Sequence, residues 1–489
     1  MKKTKLLIRS MALLISVLMT VSMIACSKDD ADATESSEES SDSVETSESE
    51  EKLELPDVNY DGATFTILGR SGHNGEYKND LDITELTTQT TAIDKAVYQR
   101  NQKVEKTYGV DIILITEEDT KLNSTVMNTV ATGDDTYDVV ATHGRYVFQL
   151  IVGGNASEIH DFEYIDLEKS WWLGNLEEVW STPGGKLFAI NGDISYIYIG
   201  CMGGIYFNKS VLNNANITLP YEHVRNGTWY FSTYKQMLID VSESINGDGS
   251  GVIGQDTFAY IAEQYRGPGT IIESTGVETL VLGGDGTYSI GVKTQIVYDA
   301  ADEYETLLKQ PYAHLVSNSD LGVMRNEFGN GRAIFIEDNI KEAPKFKQKG
   351  IDFGLVPIYR YNDTVGDLNL CIGSGTNTFM IPKTVPESNR ERVGVVLEAM
   401  AYYGQKIMIP AYYDKILSYQ SMQSPDDLEM LHLIHDSARV DLAEYLNPGN
   451  IKGTLFAAIE SNTDFSTGIA GIGKAALVHL DSWYALDKK

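Results

Sequence analysis

Cysteine is nearly absent from this chain, with three among 489 residues, at positions 26, 201 and 371. A fold held together by disulfides is thereby excluded. Basic residues are scarce as well: 39 Lys and Arg stand against 70 Asp and Glu, a formal charge of −31. Without the four bases of the first 26 residues the charge is −35, and twelve acids against two bases between 27 and 54 leave −25 on the remainder. That balance argues against a nucleic-acid partner and against electrostatic docking on anionic lipid, and mildly against a strongly anionic ligand. Catalytic signatures are missing too, since neither a GxSxG elbow nor an HExxH zinc motif occurs. Ser232 and Lys235 have the Ser-x-x-Lys spacing of some acyl enzymes, but no Lys-Thr-Gly partner follows, so a helix surface accounts for them. The run from Gly468 to Lys474 imitates a phosphate loop until Ala475 replaces the hydroxyl residue that would hold magnesium. A carboxylate pair for glycoside cleavage is a matter of tertiary separation, which spacing along the chain does not give.

What is present begins with an export signal. Lys2, Lys3, Lys5 and Arg9 form a basic start, residues 11–24 are an apolar run, and Ala25 with Cys26 closes it. This is the layout of a secretory signal peptide, too short for comfort as a permanent membrane span. Met23-Ile24-Ala25-Cys26 resembles a bacterial lipobox, which implies cleavage before Cys26 and a lipid on its thiol. Residues 27–54 are Ser, Asp, Glu and Thr with almost nothing apolar. They cannot bury enough surface to offset the entropy of ordering, and their like charges keep them extended, so they read as an acidic disordered tether.

From about residue 55 the pattern becomes that of a folded body large enough for two lobes. Residues 63–68, 110–115 and 138–142 are short β-rich runs, and 93–108 and 120–131 between them have helical spacing. Alternation of this kind predicts βαβ units and a mostly parallel sheet, with ligands beyond the carboxyl ends of the strands. Residues 190–208 are strand formers and glycines. Thr228 is positioned to cap a helix to Ile239, and helices are expected over 392–408, 425–437 and 454–478. No repeat with a period of roughly 20–50 residues is visible. Asn246-Gly247-Asp248-Gly249-Ser250 imitates the core of a calcium loop, but its twelfth place is Gln255 instead of a bidentate Glu, so it reads as a turn. Neither a metal nor a cofactor is expected.

Several segments in fixed order carry a resemblance. They are residues 205–212 (Ile-Tyr-Phe-Asn-Lys-Ser-Val-Leu), Gly227-Thr228-Trp229, residues 328–335 (Phe-Gly-Asn-Gly-Arg-Ala-Ile-Phe), residues 353–358 (Phe-Gly-Leu-Val-Pro-Ile), and the strand leading to Pro382-Lys383. Behind a lipobox, this order resembles the extracellular solute-binding proteins of ABC importers, in the carbohydrate-type family close to maltose-binding proteins. The resemblance implies an α/β, two-lobe periplasmic-binding-protein-like fold of type II, each lobe a mostly parallel sheet flanked by helices, with crossing hinge segments between them. It places crossings near 203–207, 321–332 and 370–375, giving one lobe of residues 55–203 plus 325–370 and another of 204–324 plus 371–489. It further implies a monomeric receptor on the extracellular face of the membrane that binds a mono- or oligosaccharide and delivers it to an ABC transporter permease. The competing reading is a secreted glycoside hydrolase or another surface carbohydrate-active protein.

Candidate ligand contacts follow from chemistry. The apolar face of a pyranose stacks on an aromatic ring while flanking polar groups take its hydroxyls. Trp171, Trp172, Trp180 and Trp229 are candidates, with Trp229 and the Trp171–Trp172 pair expected on opposite lobes. Arg70, Asn74, His143 and Arg145 follow strand ends and can present donors to a cleft. Asp338 follows a strand where the resembled family commonly places a polar contact. Ser374, Thr376 and Asn377 follow the third expected crossing, and Tyr413 or its neighbour Tyr412 can add a late aromatic contact. Cys201 and Cys371 are expected beside two crossings as separate thiols.

Overall fold

Strand formers punctuated by capped helices build two mixed sheets in the computed structural model. It describes residues 51–71, 91–245, 251–367, 370–413, 424–451, 453, 465–472, 477 and 480–488. The leader with Cys26, the tether to residue 50, Asn74, the 246–250 turn and most of the expected 454–478 helix lie outside the described residues.

In the first sheet, β1 (Ala63–Arg70) lies between β2 (Val110–Glu117) and β3 (Val139–His143), parallel to both. Six consecutive residues of β1 are buried, as a central strand covered on both faces requires, whereas Val110 and Ile112 of edge strand β2 alternate with exposed Asp111 and Ile113. The helix Ala92–Tyr108 connects β1 to β2. Thr91 and Asp94 form its capping box, Gly109 ends it at φ 61°, and Ile93, Ala96, Val97 and Val104 form its buried face.

The second sheet has the order β10-β4-β9-β5-β8, formed by β4 (Gly203–Asn208), β5 (Phe258–Glu263), β8 (Ala313–Val316), β9 (Ala333–Asn339) and β10 (Phe353–Val356). Strands β6 (Leu280–Leu282) and β7 (Tyr288–Ile290) form a separate hairpin. Strands β9, β5 and β8 are parallel, while β4 runs antiparallel to both β9 and β10. Every residue of β5 and β9 is buried, including the acids Glu263, Glu337 and Asp338 at their ends. Gly204 of β4 is required by close approach, since a Cβ there would lie 2.6 Å from Leu355 Cδ1 and 3.0 Å from the Val356 carbonyl oxygen.

The chain then forms β11 (Leu370–Cys371), paired with β13 (Ala438–Arg439), and returns to the first sheet as β12 (Asn377–Met380), antiparallel to β3. Strand membership therefore corrects the expected lobe assignment. Strands β9 and β10, expected with the first lobe, belong to the second sheet, and β12, expected with the second, completes the first. Residues 203–207 form strand β4 of the second sheet, and Leu321–Gly329, within the expected second crossing, is a helix packed on β9. Thr228 is not a cap: Tyr230 begins the helix Phe231–Ser242, and the Thr228 carbonyl accepts a bond from Thr233 Oγ1 at 2.8 Å. No helix among the described residues is long and apolar enough to cross a membrane.

Candidate functional site

Strand ends from both sheets border a cavity of about 510 Å³. His143 ends β3, Glu263 ends β5, and Glu337, Asp338 and Asn339 end β9, while Gly203 and Gly204 begin the antiparallel β4. Parallel strands thus deliver polar side chains at their carboxyl ends, where the backbone leaves the sheet.

On the first-sheet side, His143 caps the helix Gly144–Val152, its Nδ1 accepting from the Arg145 amide at 3.2 Å. In the neutral ring that bond assigns the proton to Nε2. The Gly144 amide donates to the Ser374 carbonyl at 2.8 Å. Ser374 in turn donates from Oγ (2.6 Å) and from its amide (3.1 Å) to Glu444 Oε1, which also meets Arg145 at 3.4 Å. Arg70 is 4% exposed and donates to the Gly375 carbonyl at 2.7 Å. It supports the cavity-lining loop from behind.

On the second-sheet side, fully buried Asp338 accepts from Arg325 at 2.7 and 3.1 Å and from the Asn339 amide at 2.7 Å, and Arg266 stands 3.4 Å away. Burial opposes its ionisation, but Arg266 and Arg325 outweigh burial and hold its carboxyl below the ordinary Asp range. Next to it, burial pushes Glu337 up to about 8, against the hydrogen bonds it accepts from Tyr260 at 2.7 and 2.9 Å. Burial also raises Glu263, opposed by the amides of Tyr265 and Arg266, which both donate to its Oε2 at 3.0 Å. Tyr265 is 40% exposed and borders the cavity.

Of the residues singled out from sequence, His143, Arg145, Asp338 and Ser374 line this cavity. The tryptophans do not. Trp171 and Trp172 are buried and donate their indole N–H groups to Glu398 at 2.8 and 2.9 Å, and buried Trp229 donates to the Pro357 carbonyl at 2.8 Å. Each indole has its polar atom satisfied inside the protein, so the expected cleft indole is corrected to core packing. Trp180 is likewise buried, edge-on to Phe148 and Tyr445. Thr376 and Asn377 are buried at the start of β12, where Asn377 is paired with His143 in the ladder. Tyr413 is buried and stacked on His432, and Tyr412 on Tyr196. Cys201 and Cys371 both border the cavity, and no disulfide joins them.

Sequence reasoning missed Glu263, Tyr265, Arg266, Glu273 and Glu444. The signal for the first three was available. The apolar run Phe258–Ala262 ends on Glu263, and the strand-end rule applied to His143 points equally to the residues after that strand.

No protein-family model and no curated protein sequence matches the chain. Solved structures do. The chain is similar to the galacto-N-biose/lacto-N-biose I-binding protein of an ABC transporter from Bifidobacterium longum, at 11% identity and TM-score 0.56, over 87% of this chain and 98% of that one. It is similar to UgpB from Mycobacterium tuberculosis, solved with glycerophosphocholine, at 15% identity and TM-score 0.55, over 86% and 98% of the two chains. It also resembles a cyclo/maltodextrin-binding protein solved with maltotetraose, at 12% identity and TM-score 0.53, over 87% and 97%. These likenesses establish that the chain has the two-lobe periplasmic-binding-protein fold.

Proposed function

We propose that this chain is a lipid-anchored extracellular receptor that captures a small solute, a mono- or oligosaccharide, in the cavity between its two sheets and delivers it to an ABC transporter permease. The observation that carries this reading is the cavity itself. Its volume is that of a small-molecule site, its walls come from the strand ends of two separate sheets, and one exposed aromatic ring, Tyr265, stands among hydrogen-bonding groups. A sugar needs this combination, a ring for its apolar face and donors and acceptors around it. The solute-binding fold and the similar structures solved with lacto-N-biose and maltotetraose support the same reading.

In operation the ligand meets one wall first and the other on closure, so contacts to both walls favour the closed form. Arg266 is held in place by Asp338, and His143 by the Arg145 amide, so the ligand meets donors whose orientation is already fixed. Export and anchoring rest on residues 1–26, with Cys26 as the lipid-bearing residue and residues 27–54 as the tether to the membrane.

Calorimetry and thermal shift over a sugar library test the receptor reading. A saccharide should bind with simple saturation and raise the melting temperature without being turned over. Release of reducing ends from glycans would instead establish the hydrolase reading. Replacing Cys26 by Ala should move the protein from the membrane fraction to the medium, and retention on the membrane would overturn the anchor.

A further inference from the structure

The two acids at the end of β9 point to opposite faces, as neighbours on a strand do. Asp338 meets Arg325 and Arg266, whereas Glu337 meets Tyr260 of β5, whose hydroxyl stands 2.7 and 2.9 Å from its two carboxyl oxygens. That hydroxyl is bonded in turn to the hydroxyl of Tyr304, on the helix Gln295–Leu308, at 2.9 Å. All three side chains are buried.

A second observation joins these groups to the cavity. The helix Arg266–Glu273 begins directly over the two hydroxyls, since a Cβ on Gly267 would fall 1.8 Å from Tyr304 Oη and 3.1 Å from Tyr260 Oη. Gly267 is therefore seated on the tyrosine pair, and its helix neighbours Arg266, Gly269 and Thr270 border the cavity. Any movement of the pair reaches that wall.

The proton on Glu337 decides how the pair is held. One hydroxyl serves both carboxyl oxygens, which is little for a buried charge, so the site favours the neutral acid, in line with its rise to about 8. The neutral acid donates as well as accepts, and it and the two tyrosines can satisfy one another; the ionised acid only accepts. Also facing Glu337 are Tyr234 from the helix Phe231–Ser242, Tyr359 after β10, and Arg266 and Asp338, while Glu263 at the end of β5 faces Tyr304. Its partner on β4 is Ile205. Arg266 is the one cation in this group, so a charged Glu337 competes with Asp338 for it.

Resting on the receptor reading, we infer that Glu337 is a positioning residue for the solute: as the neutral acid it leaves Arg266 to Asp338 and, through Tyr260 and Tyr304, seats the helix that walls the cavity. The wall is then set before a ligand arrives.

Hydrogen exchange on the detergent-solubilised full chain, corrected for the intrinsic pH dependence of exchange, tests the inference without a ligand. Protection of residues 266–273 should fall roughly tenfold from pH 7 to pH 9, because one pH unit above about 8 the ionised form outnumbers the neutral one by that factor. The helix Asp119–Thr132 should keep its protection. Glu337→Gln, whose amide both donates and accepts, should remove the step. Should that variant fail to fold, Tyr304→Phe, which keeps the carboxyl, should lower protection of residues 266–273 already at pH 7. A wall as protected at pH 9 as at pH 7, a step that survives Glu337→Gln, full protection in Tyr304→Phe, or an equal fall in both helices overturns the inference. Maltose, cellobiose and lactose are then compared by thermal shift at both pH values. A sugar that raises the melting temperature at pH 7 should raise it less at pH 9 in the wild type and equally in Glu337→Gln, and equal shifts in the wild type overturn the inference. Silence from all three counts against the receptor reading alone, because exchange decides the role of Glu337 by itself.

Discussion

Ser374 donates to Glu444 twice, from its hydroxyl at 2.6 Å and from its amide at 3.1 Å, joining the loop before β12 to a helix near the end of the chain. The same carboxylate meets Arg145. Glu444→Ala leaves three donors facing a hole, and we expect a loss of stability of about 2–3 kcal/mol. Saccharide affinity should fall as well, because Ser374 and Arg145 line the cavity. Chemical denaturation and calorimetry on one preparation check both. Unchanged stability would show that solvent satisfies these groups.

Trp172→Phe separates packing from binding. An aromatic ring is kept, but the smaller phenyl leaves a void and the 2.9 Å bond to Glu398 is lost. Stability should fall by roughly 2–4 kcal/mol, the scale of one buried hydrogen bond plus a small cavity. Ligand affinity should stay at the wild-type value, since the indole does not border the cavity. Weaker binding at full stability would return this tryptophan to the site.

Buried acids give the stability curve a definite direction. Burial raises Glu337 to about 8, and burial raises Glu398 to about 7 against the bonds from Trp172 and Trp171, both from an ordinary value of 4.5. Between the unfolded and folded values the native state holds protons that the unfolded chain releases. This contribution is therefore fully present below the unfolded value and is lost as pH rises toward 8. Denaturant titrations over that range should show stability falling, and Glu337→Gln, which cannot ionise, should flatten the upper part of the fall. An identical slope in the variant would mean that Glu337 titrates normally.

Cys371 reports on occupancy. It is half-buried and borders the cavity, whereas Cys201 is 4% exposed. Alkylation should therefore be faster at Cys371 and should slow when a saturating sugar is present, with peptide mass spectrometry as the readout. Unreduced peptides should contain no link between the two thiols.

Local features were legible in the sequence and partnerships between distant segments were not. Short β-rich runs and helical spacing place β1, β2, β3 and the helices between them, because each depends on neighbours within a turn or a strand. Sheet membership of β9 was not legible. A run such as Ala333-Ile334-Phe335-Ile336 declares a strand covered on both faces but does not say beside which strands it lies. The tryptophans failed for a related reason. An indole suits a sugar face and a protein core equally well, and the partner that decided Trp171 and Trp172, Glu398, lies more than two hundred positions away. His143 and Arg145 reached the cavity because the strand-end rule concerns backbone topology and needs no knowledge of partners.

The pairing of β12 with β3 has a kinetic meaning. Thr142 is matched with Thr378, so the sheet that presents His143 gains its outer neighbour only after the whole second sheet has been laid down along the chain. Closing so long a loop is entropically unfavourable, and contacts of this separation form late and slow the search for the native state. Until then β3 is an open edge made of Val139, Val140 and Ala141, the kind of strand that recruits foreign partners. A chain truncated before residue 377 keeps that edge permanently and should collect in aggregates instead of folding to a smaller native body.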